Sequence, residues 1–130
     1  DRDVLRAIHF FKENARVGKL VDALNNDDFD QFKQLIKESG NSSYKYLQNV
    51  YADFDYKHQA VSTALALSEI ILGDKGVCRV HGGGFAGTIQ AFVENDYVVE
   101  YKKQIEKVFG KGSCHVLKVR KLGGCRILED

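Results

Sequence analysis

The chain has no proline, no methionine and no tryptophan, and only three cysteines among its 130 residues. Without proline, no helix or strand is broken by a residue lacking its N–H, so every interruption must come from glycine or from polar capping residues. Cys78, Cys114 and Cys125 are odd in number and lack CxxC spacing. That argues against a disulfide framework and a tetrahedral zinc site, and for small core residues in a reducing compartment. No apolar run approaches the ~20 residues that span a bilayer, and no signal-peptide pattern opens the chain, so the cytoplasm is the expected location. One-sided charge is also missing. Nineteen basic residues against eighteen acidic leave a net +1 with no block of one sign, which disfavours nucleic acid or an anionic membrane as partner. The chain opens on Asp1-Arg2-Asp3 rather than methionine, as expected of a processed product or a fragment of a longer chain.

What is present suits a single soluble domain: 44% hydrophobic and 28% charged residues, enough to bury roughly two thirds of the unfolded surface. Val4, Ile8, Phe11, Ala15, Leu20, Val21 and Leu24 recur mostly at three- and four-residue steps and predict one long amphipathic helix over 4–24. Asn25 to Asp28 interrupts it. Asp27 or Asp28 can cap a second helix whose Phe29, Phe32, Leu35 and Ile36 share a face and whose end is marked by Gly40. The aromatic stretch 41–55 predicts a short helix within a loop packed on its aromatics, or alternatively a surface for a partner domain. Residues 56–72 predict a third helix stopped by Gly73 and rich in small residues suited to close packing on a sheet.

After Gly73 the period changes to that of strands. Residues 77–81 and 88–93 predict two strands, 95–109 a helix capped by Asn95 or Asp96 and stopped by Gly110, and 115–120 and 125–128 two more strands. That helix would turn Val98, Tyr101, Ile105, Val108 and Phe109 inward. The fold class is therefore α+β, with an antiparallel four-stranded sheet packed with helices.

Candidate chemistry is sparse. Asp27-Asp28, Asp53 and Asp55 sit where helices should begin and are read as caps. His9, His58, His81 and His115 share no metal-ligand spacing, and no metal site is proposed from them. Ser39, Ser42 and Ser43 lack a nameable base and are read as polar loop residues. Lys102, Lys103 and Lys107 are read as a solvated helix face. The segment Cys78-Arg79-Val80-His81-Gly82-Gly83-Gly84-Phe85-Ala86-Gly87 stands apart, with four glycines in ten residues. Such a run lets an anion approach the main chain closely, and it equally suits a tight hairpin between two strands. It has neither the Lys-Ser/Thr of a Walker loop nor the spacing of a dinucleotide fold. His81 stands at its mouth, or is a solvent-facing strand residue.

The run from Arg79 to Gly87 resembles the third signature motif, GGGFGG, of galactokinases in the GHMP small-molecule kinase superfamily. His9 with Glu13-Asn14-Ala15-Arg16-Val17 resembles the H-x-x-x-E-N-x-R-V helix of the galactokinase C-terminal domain, and the order of the later elements follows that domain. The resemblance covers essentially the whole chain and implies a ferredoxin-like GHMP kinase C-terminal domain over residues 1–130. It further implies that Gly82, Gly83, Gly84, Phe85, Ala86 and Gly87, with His81 beside them, support an ATP phosphate site. ATP and Mg2+ would be bound mainly by an N-terminal domain of the same polypeptide, with galactose or a related sugar as acceptor and no catalytic residue in this chain. His81 stands where the family usually has Thr or Ser, Ala86 replaces a glycine, and 44–55 lacks the S-C-x-E-L-D stretch. These departures imply a divergent bacterial-type branch or a related sugar kinase. Two rival functions remain: a non-catalytic sugar and ATP sensor, and a GHMP kinase for another small acceptor.

Overall fold

The computed structural model describes residues 1–85 and 87–119. Helix α1 runs over Arg2–Asn25 and α2 over Phe29–Ser42, and a π-helical turn, Ser43–Leu47, extends the latter. An irregular stretch leads to α3, Ala60–Leu72. Strands β1, Gly76–Val80, and β2, Ile89–Val93, form an antiparallel pair registered from Gly76 opposite Val93 to Val80 opposite Ile89. Helix α4, Val98–Phe109, follows.

Asp28 caps α2 as expected, its carboxylate accepting from Gln31 N–H at 2.9 Å, whereas Asp27 is a left-handed turn residue (φ 52°). Gly40 does not end α2. It sits inside the helix because β1 crosses there: a Cβ at Gly40 would stand 3.1 Å from Arg79 Cβ. The third helix starts at Ala60, four residues later than expected. Its N-cap is Gln59, and Asp55 instead accepts from Lys57 N–H and pairs with His58 Nδ1 at 2.8 Å. The stretch 41–55 does not pack on its aromatics: the aliphatic Val50 is buried, Tyr46 and Tyr51 are half-buried, and Tyr44 and Phe54 are exposed. Gly73 and Gly110, both at positive φ, close α3 and α4 where expected. Helix α4 begins without a side-chain cap from Asn95 or Asp96, its N-cap being Tyr97, and Val108 and Phe109 are exposed.

The core lies where α3 and α4 meet the hairpin. Leu72, Cys78, Tyr101 and Ile105 are buried together, with Leu65, Ala91, Val93 and Cys114 against them. The expectation that cysteines serve the core holds for Cys78, whose thiol burial pushes up to about 12. Ser68 on α3 is fully buried and bonds Tyr101 Oη at 2.9 Å, so a small residue there does allow close helix packing.

Two expectations need correcting. The expected four-stranded sheet has two strands among the described residues. Residues 115–119 hold no ladder position, and the expected fourth strand, 125–128, lies outside the described residues. Polar-apolar alternation supplies a face but no pairing edge, and Leu117 and Val119 are nearly fully exposed. The second correction concerns α1. An amphipathic helix ordinarily buries its apolar stripe, yet Val4, Phe11, Val21 and Leu24 all face outward. Its buried positions are Arg16 and Ala23, because the polar His9, Glu13 and Arg16 turn toward α2 and β1.

Candidate functional site

The glycine run forms the connection between β1 and β2. Beyond the last strand rung, His81 N–H donates to Thr88 O at 3.1 Å, and Gly87 N–H donates to Gly84 O at 3.0 Å, closing a tight turn. Gly82, Gly84 and Gly87 take positive φ, at 60°, 93° and 81°. Only one of them is wedged. A Cβ at Gly84 would collide with the Asn49 carbonyl oxygen and lie 2.9 Å from Asn49 Cγ, whereas Gly82, Gly83 and Gly87 have nothing within 4 Å. The loop therefore has an anchored side against Asn49 and an open side of bare main chain. Phe85 is exposed beside it, His81 is exposed at its mouth, and Ala86 lies outside the described residues.

Asn49 completes the anchor. It is buried, its Nδ2 donates to Gly83 O at 3.1 Å, and its Oδ1 finds no partner among the described residues.

At the strand leading into the loop, a polar cluster joins three elements. Positions 9, 13 and 16 fall on one face of α1 by their four- and three-residue steps. Glu13 accepts from Ser39 Oγ of α2, pairs with Arg16, and lies 3.4 Å from Arg79 Nη1 of β1. Arg79 also donates to Ser39 Oγ, and His9 Nδ1 meets Ser42 Oγ at 3.0 Å. Burial pushes the Glu13 carboxyl up, but the Ser39 hydroxyl with Arg16 and Arg79 outweighs it, so the carboxyl lies below its usual range. Burial holds His9 below its usual value. The attraction of Glu13 opposes this, and Arg79 and Arg16 add to it.

Ser39 and Ser42 are thus helical and buried rather than polar loop residues, and Ser43 is buried with them. The visible signal was the spacing of His9, Glu13 and Arg16 on an otherwise apolar helix. Nothing in the sequence marked Asn49 as the loop's partner, because that contact depends on where the irregular stretch after the π turn crosses the hairpin.

A groove of about 660 Å³ runs between α2, β2 and residues 114–118, lined by Phe32, Phe92 and Val98 among others. It contains no residue of the glycine loop.

No family model matches the chain, and no solved structure matches it. Galactokinases do. The chain is 32% identical over 106 residues to the galactokinase of Mannheimia succiniciproducens and 31% identical over 106 to that of Haemophilus influenzae, each match covering 82% of this chain and 26% of the relative. It is 32% identical over 111 residues to the galactokinase of Staphylococcus carnosus, covering 84% of this chain and again 26% of the relative. A match of 106 residues in a chain of 130 must take in the glycine loop and the strands on either side. The chain spans about a quarter of the length of these curated relatives. Over the matched four-fifths of its length, then, the chain belongs with the galactokinases.

Proposed function

We propose that the chain is the C-terminal domain of a cytoplasmic galactokinase-type kinase, which transfers the γ-phosphoryl of ATP to the C1 hydroxyl of galactose. The observation that carries this is the likeness to galactokinases across the loop, joined to the loop's bare outer main chain at Gly82, Gly83 and Gly87. Phosphoryl transfer relies mainly on positioning and charge stabilisation, so backbone N–H donors can serve it without a catalytic side chain. The residues fit a phosphate group, because no described atom lies within 4 Å of the Cβ position at any of those three glycines. ATP, held with Mg2+ chiefly by the rest of the polypeptide, supplies the phosphoryl group when bound. This chain's share is to present the loop and hold it still. Asn49 fixes its inner side, and the Glu13–Ser39–Arg79 cluster fixes the strand that delivers it. Taken alone, the 130 residues should be inactive.

The test is a coupled ADP-release assay on the native-length polypeptide with galactose, glucose, N-acetylgalactosamine, arabinose and mevalonate offered separately. Turnover confined to galactose is the expected result, and Gly84→Val should abolish most of it. Turnover on another acceptor would reassign the substrate. ATP binding without turnover on any acceptor would overturn the enzyme in favour of a sensor.

A further inference from the structure

Helix α1 is inside out. Its inward face carries His9, Glu13 and Arg16, while its outward face carries Ala7, Phe10, Asn14, Val17, Val21 and Leu24, spaced at alternating three- and four-residue steps. All six are exposed, Phe10 at 58% and Val21 at 50%, and Phe11 beside the seam is 71% exposed. Steps of that kind place apolar residues in one seam for a second helix, and a single Asn within such a seam fixes register at some cost in stability. Gly18 lies beside the seam with nothing within 4 Å of its Cβ position, leaving room for close approach. A contiguous apolar stripe on the exposed side of a helix that turns His9, Glu13 and Arg16 inward marks an interaction surface.

From this face, resting on the kinase reading above, we infer that α1 is the seat of a helix from the remaining three-quarters of the kinase polypeptide. The choice of occupant follows from length. The relatives are about four times as long as this chain, and a segment of the same polypeptide meets the seam at high effective concentration. A second copy would have to form a coiled coil of under three heptads, which is marginal for two free chains. The covering helix should present its own apolar stripe and a hydrogen-bonding side chain opposite Asn14.

The experiment is hydroxyl-radical footprinting of the native-length protein, read by mass spectrometry at Phe10 and Phe11 and normalised to the same residues in urea. Covered by a partner helix, both should oxidise about tenfold more slowly than in urea, at every protein concentration. Phe11→Glu, at a position that faces away from this domain, should restore oxidation at Phe10, and Val21→Lys should do so from the other end of the seam. Oxidation within about twofold of the urea rate would overturn the inference, as would a native product of this length that stays monomeric with both rings reactive. Protection lost on dilution, with dimers seen by analytical ultracentrifugation, would replace the occupant by a second copy. None of these readouts uses turnover. A protected α1 in a protein without kinase activity would therefore sink the kinase reading alone.

Discussion

At the scale of single residues, the glycine run is unequal in its demands. Gly84 is at φ 93° and against the main chain of Asn49, which cannot move aside as a flexible side-chain end could. Gly84→Ala should therefore cost about 2 kcal/mol or more, combining left-handed strain with a displaced loop. Gly83→Ala meets open space and should stay within about 0.5 kcal/mol. Urea denaturation of the two variants side by side checks this, and equal midpoints would remove the distinction. Asn49 offers a second case in which two effects oppose. Asn49→Ala loses the bond to Gly83 O but also removes an acceptor that is buried without a partner among the described residues, so the net cost should be near 1 kcal/mol. Asn49→Asp keeps the shape, loses the donor and buries a charge beside a carbonyl oxygen. It should be the worse variant, with faster amide exchange from Gly83 to Thr88, and the order Ala worse than Asp would refute the donor role.

At the scale of elements, Gly40 sets helix propensity against packing. Inside a helix, alanine is favoured over glycine by about 1 kcal/mol, but a Cβ here must push Arg79 Cβ from 3.1 Å and approaches Cys78 O at 3.5 Å. The two effects nearly cancel for Gly40→Ala, which should fall within about 1 kcal/mol of the parent. Gly40→Leu has no such balance and should cost about 2 to 3 kcal/mol while loosening β1 against α2. Thermal melts of both variants decide it, and a fully stable Leu variant would mean that α2 does not crowd the strand. The same glycine shows what was legible in the sequence. Gly73 and Gly110 were readable as helix stops because nothing crosses those helices at their ends. Gly40 looked alike in one dimension, and only the passage of β1 makes it an interior packing residue. Helix existence, the hairpin and the glycine loop all followed from local period and composition. The inward face of α1 did not, because periodicity reports that a helix has two faces and not which of them the domain keeps. Residues 115–119 fail for a related reason: alternation fits a strand, but pairing needs a neighbouring edge.

At the scale of the whole molecule, α1, α2 and β1 are joined by the cluster of His9, Glu13, Arg16, Ser39, Ser42 and Arg79, which ties stability to pH. His9 is held below its usual value, so the unfolded chain binds its proton first. Stability from this group is present above about pH 6.5 and declines as pH falls from there through the folded value. Glu13 also lies below its usual range. Its contribution is present above the unfolded carboxylate value of about 4.3 and is lost as pH falls through the lower folded value. Both groups thus act with the same sign, and urea midpoints should fall in two stages on acidification, the first beginning near pH 6.5 and the second below about pH 4.3. Glu13→Gln separates them. It removes the second stage, and because Glu13 attracts the proton of His9, its loss should deepen the first stage and extend it to lower pH, the onset staying near pH 6.5. The variant also takes from Arg79 its carboxylate and from Arg16 the nearer of two, so it should be less stable than the parent at pH 7, lose more between about pH 6.5 and 4.3, and lose less below about pH 4.3. A parallel pair of stability-against-pH curves for parent and Glu13→Gln would show that the carboxylate does not hold α1 to the strand that carries the loop.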